Sequence, residues 1–135
     1  MKQKIMSILM VVIGIVFLAG CDKAREIKTT WNIEDAFGNA YQMNIKDKEI
    51  IIIDGKEKQK MSFKQGDIGS TKGIKYYGLT MDGKNYSIIF PEEKNYNIAL
   101  FIKRDKNNYT QGSLVFAMNK KEKPNYTEYN KEYLK

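Results

Sequence analysis

Turn signals recur along most of this chain at spacings too short for helices. They fall at Gly38-Asn39, Asp47-Lys48, Asp54-Gly55, Gly66-Asp67, Asp82-Gly83, Lys94-Asn95 and Asp105 to Asn108. The Asp-Gly pairs at 54–55 and 82–83 are the strongest, because a two-residue hairpin turn needs positive φ where glycine and aspartate tolerate it. Two-residue hairpins join only antiparallel strands. The turns therefore restrict residues from about 27 to 118 to a meander.

The residues between the turns agree. Apolar side chains alternate with polar ones at Tyr41, Met43 and Ile45, and again at Tyr86, Ile88 and Phe90. The same period gives Tyr96, Ile98, Leu100 and Ile102, and then Leu114, Phe116 and Met118. Alternation of this kind marks strands with one face inward. The run Ile50 to Ile53 is apolar throughout, as expected of a strand covered on both faces. Weaker strands are expected over Ile27–Trp31, Lys60–Phe63 and Ile74–Leu79. The expected fold is all-β: an antiparallel meander of about eight short strands, forming a small closed or partly open barrel that removes or protects its edges. An open sheet or a sandwich is the competing arrangement.

The tail reads differently. Pro124 suits a helix entry, with Asn125 or Thr127 as cap. Tyr126, Tyr129 and Tyr133 then share one helical face. A short C-terminal helix near 125–134 laying these tyrosines on the barrel wall is expected, with a disordered tail as the competitor.

The first twenty residues are of another kind. Lys2 and Lys4 precede an uncharged run from Ile5 to Ala19, and charge returns at Asp22, Lys23, Arg25 and Glu26. That is the layout of a secretory signal, shorter than the roughly 20 apolar residues a permanent spanning helix needs. Leu18-Ala19-Gly20-Cys21 resembles the lipobox of bacterial lipoproteins. The resemblance implies cleavage between Gly20 and Cys21 and a diacylglycerol on the Cys21 thiol. Two acyl chains at about 0.8 kcal/mol per buried methylene hold a protein stably on a membrane where one does not. The chain then divides into a signal peptide (1–20), a lipidated polar tether (21–26) and a single β-rich domain (27–135). The expected location is the outer face of the cell membrane.

Cys21 is the only cysteine and the chain has no histidine. A lipidated Cys21 leaves no free thiol and no disulfide, so the domain must be held by packing alone. The same absences exclude Ser-His-Asp and Cys-His catalysis and the usual zinc sites. No P-loop or GxGxxG fingerprint is present. Glu92 and Glu93 are adjacent in an extended segment and point apart, which makes them a poor acid–base pair. Glu34 and Asp35 lack any EF-hand spacing. No catalytic residue, metal site or cofactor is expected. Three Asn-Tyr-Ser/Thr triplets, at 85–87, 108–110 and 125–127, follow from composition.

The chain from Cys21 onward carries 21 Lys+Arg against 16 Asp+Glu, a net charge of +5. Lysines are spread along it, which reads as a solubilising surface more than as a nucleic-acid footprint. Nucleic acid is therefore not an expected partner. Trp31 near the first strand, followed by a one-sided meander and a C-terminal helix, resembles lipocalin-like and avidin-like barrels, although Thr29-Thr30-Trp31 lacks the glycine of the lipocalin Gly-x-Trp. That resemblance implies a tryptophan plugging one end of a calycin-like barrel. Two functions follow as expectations. One is a non-enzymatic binding or protective module for a peptide, wall component or partner protein, with Tyr77, Tyr126, Tyr129 and Tyr133 as its candidate surface. The other is a carrier of a small apolar ligand.

Overall fold

The computed structural model describes residues 24–134; the signal-like segment, Gly20 and Cys21 lie outside them. The described chain forms β1 (Thr30–Glu34), β2 (Ala40–Ile45), β3 (Glu49–Asp54), β4 (Glu57–Ser62), β5 (Lys64–Thr71), β6 (Ile74–Met81), β7 (Lys84–Phe90), β8 (Ile98–Asp105), β9 (Asn108–Asn119) and α1 (Tyr126–Tyr133). Every strand pairing is antiparallel, in the order β4-β3-β2-β1-β9-β8-β7-β6-β5. The all-β meander with a short C-terminal helix is thus the observed fold.

The two edge strands are consecutive in sequence and separated only by Phe63. Alternating directions across the sheet make β4 and β5 run the same way. They are one long pass of chain whose first half pairs with β3 and whose second half pairs with β6. A single residue cannot span a flat sheet of this width, so the sheet rolls until its edges meet at Phe63. The result is a partly open barrel, with no hydrogen-bonded ladder between its two edges.

The turns sort by chemistry. Asp82 and Gly83 both have positive φ (52° and 74°) between paired Met81 and Lys84, the type I′ pattern. At the other Asp-Gly pair, Asp54 pairs with Glu57, so Gly55 (φ 61°) takes the first central position, as in type II′. Gly66-Asp67 is not a turn. It lies inside β5, where the register against β6 shifts between Gln65 and Ile68. The β5–β6 turn is instead Lys72-Gly73, which no aspartate or asparagine announces. The first strand begins at Thr30 rather than Ile27, because Ala24 to Thr29 form turn hydrogen bonds, Ile27 N–H to Ala24 O at 3.2 Å and Thr29 N–H to Ile27 O at 2.9 Å.

Two apolar layers result. The inner layer contains Trp31, Ile33, Met43, Ile50, Tyr77, Ile88, Phe90 and Phe101, with Tyr41, Tyr86 and Phe116 packed against it. The outer layer contains Ile89, Leu100, Ile102 and Leu114, covered by Tyr126, Tyr129 and Tyr133 of α1. Leu100 and Ile102 thus face outward, opposite to the expected parity, while Ala99 and Phe101 face in. Ile98 is half-buried and belongs to neither layer. Leu114 changes face at a bulge: Phe116 pairs with Phe101, Leu114 pairs with Ile102, and Val115 is the extra residue.

The helix is held at both ends. Asn125 caps it by accepting the Glu128 N–H at 2.9 Å. The Tyr126 N–H donates to the buried Glu34 carboxylate at 2.9 Å, and the Tyr126 O–H donates to Leu114 O at 2.6 Å. At the far end the Tyr133 O–H donates to Glu92, which also accepts from the Asn95 amide at 3.1 Å.

Candidate functional site: the open barrel end

The strand directions give the barrel two ends. The N-terminal segment and the β5–β6 and β7–β8 connections lie at one, and the β1–β2, β3–β4 and β8–β9 turns lie at the other. At the seam around Phe63 the β2–β3 connection meets the β6–β7 turn, where Lys48 lines a concavity with Thr80, Asp82 and Gly83. At the first end the inner core is filled, although a concavity of about 400 Å³ lined by Ile68, Lys75, Phe90, Glu92 and Tyr96 lies outside it, between the β5–β6 and β7–β8 connections. Trp31 is fully buried in that core, donates its ring N–H to Ile27 O at 3.0 Å, and packs on Phe90 with ring centroids 6.1 Å apart. The Lys120 ammonium sits 5.0 Å over the Trp31 ring, and burial lowers the pKa of that amine.

The N-terminal segment is clamped to this filled end. The Tyr77 O–H donates to the Glu26 carboxylate, and Lys75 Nζ lies 3.0 Å from its other oxygen. Burial would raise the Glu26 pKa, but the bonds from Tyr77 and Lys75 outweigh it and the net shift is downward. Burial and the bond to Glu26 push the Tyr77 phenol well above its ordinary range. Ala24 and Ile27 are buried too, so the packed domain begins at least three residues before the expected boundary at 27. Tyr77 has 0% exposure and contributes no binding surface. Its neighbour Tyr76 takes the outer face and stacks on Tyr109 at 4.7 Å.

The tail tyrosines are likewise committed to the fold. Tyr126, Tyr129 and Tyr133 are half-buried against the outer layer, and each hydroxyl has a protein partner: Leu114 O, the Asn119 amide at 3.1 Å, and Glu92. Their rings face the sheet, and they form no exposed aromatic patch. Glu92, bound by Tyr133 and Asn95, has its pKa lowered by those bonds. It serves as an anchor for the helix.

The second end is hollow. Tyr41, Ile52 and Phe116 form the apolar part of one concavity of about 360 Å³, which Asp35, Asp54, Glu57, Lys58 and Gln59 also line. A second, of about 590 Å³, has Met61, Met81 and Tyr86 as its apolar part, with Asp82 and Lys84 at its edge. Gln59 lines both. Tyr41, Ile52, Met61, Met81, Tyr86 and Phe116 belong to the inner face and are only partly buried. The inner core therefore runs out before the barrel does, and its last layer meets solvent.

Phe37 stands on the β1–β2 turn at this end and is 89% exposed. Its loop is tightly held. Asp35 Oδ1 accepts the N–H groups of Phe37 and Asn39, each at 2.9 Å, and the Asp35 N–H donates to Asn39 O at 3.0 Å. Such Asx hydrogen bonds fix a turn locally. The loop thus holds a large apolar side chain out in water. The sequence marks Phe37 only as an aromatic placed within a turn between two strands.

Among the described residues no group of three His, Cys, Asp or Glu side chains is placed to hold a metal ion, and no helix is long and apolar enough to cross a membrane. No protein-family model matches this chain, and neither a curated protein nor a solved structure does.

Proposed function

We propose that the protein is a lipid-anchored, non-enzymatic binding module at the outer face of the cell membrane, and that it takes its ligand at the open barrel end. The anchor reading rests on the lipobox at Leu18 to Cys21. The binding reading rests on one observation: Phe37, 89% exposed, is held on a hydrogen-bonded turn whose Asp35 lines a mixed polar and aromatic hollow. A large apolar side chain fixed in water at the rim of a concavity is the usual form of a recognition anchor. The clamp of Glu26 to Tyr77 and Lys75 lies at the Trp31 end, and this supports an orientation in which an anchor at Cys21 would leave the hollow opening away from the membrane.

The partly filled interior also favours a site that grips part of a ligand over one that encloses it. Trp31, Phe90, Tyr77 and Phe101 occupy the space a carrier of a fully buried small molecule would need. Two experiments test the proposal. A photo-crosslinking amino acid at position 37 should capture a cell-surface partner in intact cells, while the same group at Lys72, on the opposite end, should not. Equal capture from both positions, or none from 37, rejects the open end as the site. Cys21→Ala should release the protein from the membrane fraction, and unchanged fractionation rejects the lipid anchor.

A further inference from the structure

The hollow is not uniform in charge, and the difference identifies a ligand class. Around Tyr41 and Phe116 it is lined by three carboxylates, Asp35, Asp54 and Glu57, against one ammonium, Lys58, so the wall is negative on balance. Period two along β4 places Glu57 with Gln59 and Met61 on the inner face and Lys58 and Lys60 on the outer one, although Lys58 still lines the concavity from beside Glu57. Asp54 and Glu57 face each other across the β3–β4 pair. Among the described residues neither has an ion-pair or side-chain hydrogen-bond partner.

Carboxylates with structural duties in this fold are engaged otherwise. Glu26 is bound by Tyr77 and Lys75, Glu34 by Tyr126 and Lys123, and Glu92 by Tyr133 and Asn95. Burial, then the charges of Asp35 and Asp54, raise the pKa of the Tyr41 phenol, which marks a negative potential at that wall. The neighbouring part of the hollow, with Met61, Met81 and Tyr86, is mainly apolar and carries one acid and one base, Asp82 and Lys84, at its edge.

From this arrangement, and resting on the reading of the open end as the binding site, we infer that the ligand is an amphiphilic organic cation: an ammonium or guanidinium group carried on an apolar body. The cationic head lies between Asp54 and Glu57, and Asp35, whose oxygens already hold the β1–β2 turn, adds only its charge. The rings of Tyr41 and Phe116 lie beside the head, where charge attraction and cation–π contact act together. The apolar body runs past Gln59 onto Met61, Met81 and Tyr86. Lys84 stands beside the apolar part, so a cation entering in the reverse orientation meets a like charge.

The test is a nuclear magnetic resonance titration of the full chain in neutral-lipid nanodiscs. The probes are hexylammonium, hexanol and hexanoate, which share an apolar body and differ in head group. An end-blocked leucine–lysine–leucine peptide serves as a fourth probe. The inference expects saturable shifts at Tyr41, Glu57 and Phe116, with hexylammonium binding about threefold or more tighter than hexanol and hexanoate weakest. The double variant Asp54→Asn, Glu57→Gln should remove that preference while hexanol binding stays. Tighter binding of the peptide than of hexylammonium identifies a peptide source for the cation, and the reverse order a small amine. If hexanol or hexanoate binds as tightly as hexylammonium, the hollow is a site but the cation assignment is wrong. If no probe saturates, the hollow is not a binding site and the reading beneath the inference fails with it.

Discussion

The two ends of this barrel are built from the same strands and differ in how completely they are packed. At the filled end Trp31 and Tyr77 both pack on Phe90, and the polar groups of Trp31 and Tyr77 have partners. At the open end the inner face carries Tyr41, Ile52, Met61, Met81 and Phe116, all partly exposed, and Phe37 projects beyond them. Packing density and hydrogen-bond satisfaction are the marks of residues that stabilise. Apolar side chains left in water contribute little to stability and are available for recognition. Stability should therefore depend on the filled end and binding on the open one.

The largest expected effect is at the filled end. Trp31→Ala removes a fully buried ring and should cost about 3–5 kcal/mol, read by chemical denaturation followed by circular dichroism. A cost below about 1 kcal/mol would mean the plug is dispensable and the contrast between the ends is false. The outer layer should be nearly as sensitive. Leu100→Ala, buried beneath α1, should cost about 2–5 kcal/mol, and protease nicking near Tyr129 should rise if the helix loosens with it.

The clamp comes next. Tyr77→Phe removes the hydroxyl that Glu26 accepts from and should cost about 1–3 kcal/mol. It should also change the pH response. The folded-state pKa of Glu26 is lowered, so its contribution is present above the ordinary carboxylate range and is lost as pH falls through the folded value. Glu26→Gln should flatten that acid limb in a melting-temperature profile, and an unaltered limb would show that the clamp is not what titrates. The alkaline limb has the opposite sign. The raised phenols of Tyr77 and Tyr133 contribute below pH ~10 and lose that contribution as unfolded-state tyrosines ionise above it.

The smallest expected effect on stability is at the rim. Phe37→Ala should change unfolding free energy by no more than about 0.5 kcal/mol while abolishing capture of the partner. A large stability loss there would erase the distinction between the two ends.

The legible part of the fold was its local part. Type I′ geometry at Asp82-Gly83 and alternation along Tyr41 to Ile45 and Tyr86 to Phe90 depend on neighbours in sequence, and the structure has them as expected. Parity in β8 was not legible, because Ala99, Leu100, Phe101 and Ile102 are apolar on both faces once α1 covers the outer one. Leu114 changed face because Val115 is inserted as a bulge, which no composition signal marks. Tyr76 and Tyr77 are alternatives by period two, and only the position of Glu26 shows why Tyr77 is the inner one. The candidate site was the least legible. Its hollow is made by strands distant in sequence, and among the described residues the Phe37 ring stacks on no other ring that would betray its role.

The pairing of β1 with β9 has a consequence for timing. Asn32 and Glu34 are satisfied only by the far end of the chain: Asn32 donates to Glu122 O at 3.3 Å, and Glu34 receives the Tyr126 N–H and lies 3.5 Å from Lys123. A chain emerging amino-terminus first can form its early hairpins as they appear. It cannot complete the first strand, or bury Glu34, until the final helix is free. The barrel thus stays unfinished until the residues of α1 have been made, and until then the chain remains easier to unfold than the closed domain.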